Sequence, residues 1–172
     1  WGVSMACFAY GETELAYLRS RDARLAEAID AIGPVEREVD DDLFSSVVHQ
    51  IVGQQISTKA LATIWARMRE RLGIVDASHV LGRDGLQALG ISFRKADYLL
   101  DFAERVQDGS FDLDAVAALP DEQAISALVS LKGVGRWTAE MILLFCLQRP
   151  DVLSFDDLAI QRGMRMVYHH RA

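Results

Sequence analysis

The run Leu131-Lys132-Gly133-Val134-Gly135-Arg136-Trp137-Thr138-Ala139 sets two glycines between two stretches of helical periodicity. A link as short as Lys132 to Gly135 makes the flanking helices a hairpin. The glycines carry no side chain to block close approach. The turn can therefore present bare N–H groups to a phosphate at the start of the following helix. Asp156 and Asp157 then supply carboxylates just before another helical pattern, Leu158 to Tyr168. A phosphate grip and a carboxylate at a fixed interval point to chemistry on a nucleic acid.

The remaining sequence is helical in period almost throughout. Glu12 to Arg19 and Asp22 to Ile32 place Leu15, Leu18, Leu25, Ile29 and Ile32 at helical spacings, and Gly33-Pro34 ends the second stretch. Asp42 to Gln54 turns Leu43, Val47, Val48, Ile51 and Val52 inward. Ser57 reads as the N-cap of a helix running to Leu72 and stopped by Gly73. Short helices are expected at Ala77–Leu81 and Arg83–Leu89, and Ser92 opens a longer one to about Gln107, closed by Asp108-Gly109. Phe111 to Leu119 reads as a turn-rich piece, and Pro120 as the first residue of a helix ending near Leu131. No alternating strand pattern, repeat or low-complexity segment interrupts this. The class is all-α.

A chain of 172 residues with 51% hydrophobic content can bury one core or divide it between two lobes. No stretch is long and apolar enough to span a bilayer, so no membrane partner is expected. Residues 1–4 read as an addition ahead of a native Met5, and the N-terminus lacks the pattern of a signal peptide. Cys7 and Cys146 have no ligand-like spacing and read as two reduced thiols of a cytoplasmic protein. The net charge of −7 opposes a nucleic-acid partner, but its distribution softens that objection. Glu36, Glu38 and Asp40-Asp41-Asp42 concentrate acid early, while Arg162, Arg165, His169-His170 and Arg171 make the last stretch locally basic.

The hairpin run followed by Asp156-Asp157 resembles the helix–hairpin–helix DNA glycosylase superfamily, whose signature is such a hairpin, a Gly/Pro-rich loop and an aspartate. Ile51-Val52-Gly53-Gln54-Gln55-Ile56-Ser57 resembles that family's Gln-rich turn at the DNA-probing edge. Together the two segments frame most of residues 41–168, and the chain most resembles the alkyladenine (3-methyladenine) DNA glycosylase II branch. The resemblance implies two helical lobes with a cleft between them. Residues 1–40 would be N-terminal helices of the first lobe, 41–158 a six-helix lobe holding the hairpin, and 159–172 the start of the C-terminal helices. Family members continue for several more helices, which is where an iron–sulfur cluster lies in relatives that have one. Some alkylpurine enzymes also carry an N-terminal β-domain, against which these first forty residues would be a compact form.

Particular residues discriminate among branches. The endonuclease III-like lyases place a nucleophilic lysine where this chain has Trp137, and Lys132, ahead of the glycines, does not replace it. The adenine-mismatch branch places a catalytic glutamate where this chain has Gln50. The resemblance thus implies a monofunctional enzyme in which water attacks. Such an enzyme suits a base that already leaves well, such as the cationic 3-methyladenine or 7-methylguanine.

Asp157 matches the family's catalytic aspartate, at a helix start where the positive end of the dipole favours an anion. Asp156 would cap the helix or face solvent. Trp137 and Met141 would line the base pocket, Trp137 stacking on the cation. DNA would be held by Gly133, Val134, Gly135, Arg136, Thr138, Gln54, Gln55 and Ser57. His49 and His169-His170 read as packing or surface residues. No cofactor is required, although carbonyls of Val129, Leu131 and Val134 would hold a structural Na+ or K+. The partner would be double-stranded DNA with a damaged base, met by a monomer in a bacterial or archaeal cytoplasm, at the nucleoid. The alternatives are a noncatalytic hairpin module, or a glycosylase for hypoxanthine, mismatched uracil or 8-oxoguanine.

Overall fold

The computed structural model describes residues 6–82 and 85–169, so residues 1–4, His170 and Arg171 lie outside the described residues. The chain divides into two units, residues 40–152 and residues 1–39 with 153–172.

Within residues 40–152 the apolar stripes read from the sequence become one core. Helix α3 (Leu43–Gly53) buries Phe44, Val47, Val48, Ile51 and Val52. It packs against α4 (Thr58–Leu72), α6 (Phe93–Gln107) and α9 (Arg136–Phe145). From α6 come Leu99, Phe102 and Ala103, and from α9 come Ala139, Ile142 and Leu143. Phe102 stacks on Phe44 at 4.7 Å and takes the edge of Phe111 at 5.8 Å. Side-chain oxygens start these helices: Asp42 accepts from Ser45 N–H, Ser57 from Ala60 and Ser92 from Lys95.

The structure departs from the sequence reading in several places. Phe111–Leu119 is not merely turn: α7 spans Leu113–Ala118 because Asp112 accepts the Ala115 N–H. α5 (Ala77–Leu81) forms as expected, but Arg83–Leu89 shortens to a 3-10 turn over Leu86–Leu89. Left-handed glycines 85 and 90 bound it, and Arg83 itself lies outside the described residues. Pro120 is the N-cap of α8 (Asp121–Val129) rather than its first helical residue, with ψ 153°, and the helix closes at Ser130. Among the described residues, 40–152 hold α3 to α9.

In the other unit, α1 (Glu12–Arg21) and α2 (Ala23–Ile32) pack together, with α10 (Leu158–Tyr168) against α2. Asp22 caps α2 and accepts the Tyr168 hydroxyl at 2.6 Å, while Arg24 donates to the Tyr168 carbonyl at 2.8 Å. Among the described residues there is no strand, only an isolated bridge between Cys7 and Glu38, and no helix is long and apolar enough to cross a membrane.

Candidate nucleic-acid interface

The hairpin between α8 and α9 is a tight turn built on one left-handed glycine. Leu131 N–H donates to Leu128 O at 3.0 Å, and Val134 N–H donates to Leu131 O at 3.2 Å. Gly133 has φ +80°, and a Cβ there would lie 2.3 Å from Tyr98 Cδ2, so both backbone and neighbour exclude a side chain. Gly135 opens α9 and brings no side chain to cap its first turn. Val134 is buried and its N–H is spent inside the turn. No backbone hydrogen bond within the turn takes the N–H groups of Gly133 and Gly135, and the first-turn N–H groups of α9 have no side-chain cap.

The side chains of Arg136 and Thr138 both meet partners within the chain. The Arg136 guanidinium donates to both Glu122 carboxylate oxygens at 2.7 and 3.0 Å, and to Glu140 at 3.0 Å. Those acids engage the guanidinium, yet the side chain stays 55% exposed. Lys132, on the other side of the glycines, is paired with Asp101 of α6. Thr138, in the first turn of α9, is buried, its hydroxyl 3.5 Å from the Gln54 amide nitrogen.

The Gln-rich turn lies against this hairpin. Gln54 closes α3, and its Nε2 donates to the Gly133 carbonyl at 2.7 Å. That amide therefore steadies the hairpin instead of reaching outward. Gln55 is exposed and held at φ +57°, a left-handed conformation uncommon outside glycine, where local strain often marks a working position. Ser57 is exposed and caps α4, its Oγ accepting from Ala60 at 3.2 Å.

Sequence reasoning missed Lys95 of α6. Its half-buried ammonium donates to the carbonyls of Val52 at 2.8 Å and Gln54 at 2.5 Å. Burial holds it below the ordinary lysine range. Its acceptors are backbone carbonyls, which leave no trace in a sequence.

Trp137 and Met141 stand one helical turn apart on α9, hence on one face. Trp137 is 44% exposed and Met141 is 8% exposed. Asp157 belongs to the other unit, where it caps α10: its Oδ1 accepts from Ala159 N–H at 2.8 Å and Ile160 N–H at 3.0 Å. The cap is thus Asp157 and not Asp156, which is exposed. Two backbone donors fix the orientation of the Asp157 carboxylate.

A family model described as the HhH-GPD superfamily of base excision DNA repair proteins matches residues 48–172, which include the Gln-rich turn, the hairpin and Asp157. The chain belongs to this superfamily. DNA-3-methyladenine glycosylase 1 of Schizosaccharomyces pombe is 30% identical over 93% of the chain and 72% of its own length. DNA-3-methyladenine glycosylase 2 of Escherichia coli is 28% identical over 70% of the chain, which spans 47% of that protein. The crystal structure of a Bacillus halodurans DNA-3-methyladenine glycosidase matches with TM-score 0.81 at 33% identity, covering 95% of this chain and 77% of the other. A Schizosaccharomyces pombe 3-methyladenine DNA glycosylase in complex with abasic DNA matches with TM-score 0.80 at 27% identity, covering 93% and 82%. The all-α HhH-GPD glycosylase fold is therefore that of this chain.

Proposed function

We propose that this chain is a monofunctional DNA glycosylase that hydrolyses the N-glycosidic bond of alkylated purines, 3-methyladenine and 7-methylguanine, during base excision repair. The observation that carries the reading is the 30% identity to a 3-methyladenine glycosylase across 93% of the chain. Trp137 supports it, standing on the α9 face where a lyase of this superfamily would carry lysine. The partner is duplex DNA, in whichever compartment holds it.

Gly133 and Gly135 N–H groups bind a backbone phosphate, and Gln55 enters the duplex at the vacated stack. The extruded base lies on Trp137 beside Met141, and its positive charge favours the indole face. The C1′–N bond breaks with its electron pair going to the base, which leaves neutral because it began as a cation. Asp157 stabilises the positive charge that develops on the sugar. A water oxygen bonds to C1′ and gives up one proton to the Asp157 carboxylate, leaving a free base and an abasic site.

A monovalent cation at the hairpin suits the donor set, since the carbonyls of Val129, Leu131 and Val134 are neutral hard oxygens. Leu131 O already accepts the Val134 N–H and keeps a second lone pair. The ion would hold these carbonyls in place, and no step of the reaction runs through it.

The test is Asp157→Asn on methylated DNA. Asparagine keeps the helix cap, so folding and binding to an abasic-site duplex are retained, while release of 3-methyladenine falls about 10²- to 10⁴-fold. Undiminished release would remove Asp157 from the chemistry. No release by the parent chain would leave a noncatalytic DNA-binding module.

A further inference from the structure

Helix α6 lies beneath both turns assigned to DNA, and its residues 95, 98, 101 and 105 follow one another at steps of three, three and four along one face. Each of these meets one of the two turns. Lys95 holds the Val52 and Gln54 carbonyls. The Tyr98 ring sits where a Gly133 side chain would be. Asp101 pairs with Lys132, and Arg105 donates to the Ser130 carbonyl at 3.0 Å. Gln54 then links the turns directly through Gly133 O at 2.7 Å. A closed ring of contacts results: α6 to Lys95, to Gln54, to Gly133, to Tyr98 and back to α6.

We propose that Lys95 is a positioning residue for DNA recognition: through Gln54 it fixes the Gln55-bearing turn against the hairpin before DNA arrives. This rests on the reading that both turns face DNA. The end of a helix leaves carbonyls without intrahelical donors, and a half-buried ammonium that takes two of them ties down the chain where α3 stops. Without it the carbonyls would turn to water. Gln54 would lose its backbone anchor, and Gln55 would be released from its left-handed conformation. A contact made before binding saves the ordering cost at the moment of binding, so its loss weakens association more than it slows the bond-breaking step.

The experiment compares the full chain with Lys95→Met, Lys95→Arg and Gln54→Met. Binding is measured on a duplex carrying a tetrahydrofuran abasic analogue, base release under single turnover on methylated DNA, and hydrogen exchange at Gly133 to Arg136 in the free protein. Lys95→Met raises Kd and KM about tenfold, the loss of one charge-assisted contact, with the saturated rate within about threefold of the parent. It also speeds exchange in the hairpin. Lys95→Arg, which can still donate to both carbonyls, restores most of the affinity. Gln54→Met buries no charge and should fold even where Lys95→Met does not, and it gives the same pattern.

Binding and hairpin exchange within about twofold of the parent in both Met variants overturn the proposal, since the loss of a net hydrogen bond of ordinary strength would exceed that. A fall in saturated rate with unchanged Kd overturns it equally. A parent that binds and responds as described but releases no base removes the glycosylase reading and leaves Lys95 in its role. A parent that binds no duplex removes both.

Discussion

Gly133→Ala offers the sharpest test of how the hairpin is built. Alanine at φ +80° costs about 1–2 kcal/mol in a left-handed conformation. Its Cβ would also sit 2.3 Å from Tyr98 Cδ2 and 2.6 Å from Cε2. Those are atoms of the ring body, and the ring's hydroxyl is held by Arg94 at 2.5 Å, so Tyr98 has little freedom to yield. Overpacking of that kind adds about 1–3 kcal/mol. The sum, about 2–5 kcal/mol, corresponds to a Tm lowered by roughly 4 to 20 °C for a chain of this size. The assay is urea and thermal unfolding of Gly133→Ala, Tyr98→Ala and the double variant. If the two penalties are separate, the double variant is more stable than the sum of the single changes by the steric part alone, while the backbone part persists. A Gly133→Ala protein within about 0.5 kcal/mol of the parent, the ordinary range of surface substitutions, would refute the reasoning.

Trp137→Leu should lower release of cationic 7-methylguanine relative to neutral hypoxanthine by about 2- to 30-fold, the equivalent of 0.5–2 kcal/mol of cation–π attraction; equal losses on both substrates would assign Trp137 to packing. Asp76 is held at about 2 against an ordinary 3.8, first by the His79 backbone N–H and, after desolvation opposing it, by the His79 and Ser78 side chains. Its folded value is depressed, so its contribution to stability is present above pH 3.8 and disappears as the pH falls through about 2. Melting curves over that window should lose this slope in Asp76→Asn, which caps α5 without titrating. Burial pushes the Cys146 thiol up to about 12, whereas Cys7 is exposed. Native protein should therefore release one equivalent of chromophore from a disulfide reagent promptly and the second only on unfolding.

Most helix starts were legible because a cap acts over three residues: Asp42, Ser57 and Ser92 each reveal a start through an oxygen and an N–H close in sequence. The same local logic faltered where glycine conformations decided, at the 3-10 turn between Gly85 and Gly90. The hairpin and Asp157 were legible as motifs, yet the company they keep was not. Arg136 reads as a cation beside a phosphate-binding turn, and only packing shows that Glu122 and Glu140 hold it. Lys95 lies 41 residues from Gln54, and Gln54 lies 79 from Gly133, separations across which no periodicity reports. Their acceptors are peptide carbonyls, the same for every residue type.

The two cations bracketing the glycines, Lys132 and Arg136, are both paired within the chain, with Asp101 and with Glu122 and Glu140. Protein that meets DNA through free lysine and arginine displaces condensed counterions, and its affinity collapses as salt rises. A hairpin that grips through peptide N–H groups displaces few. For a chain of net charge −7, the proposed attachment would rest on the shape of the nucleotide more than on attraction of the duplex to a basic surface. On the proposed reading, its affinity for duplex DNA should fall less steeply with rising salt than that of a protein that binds through a basic patch.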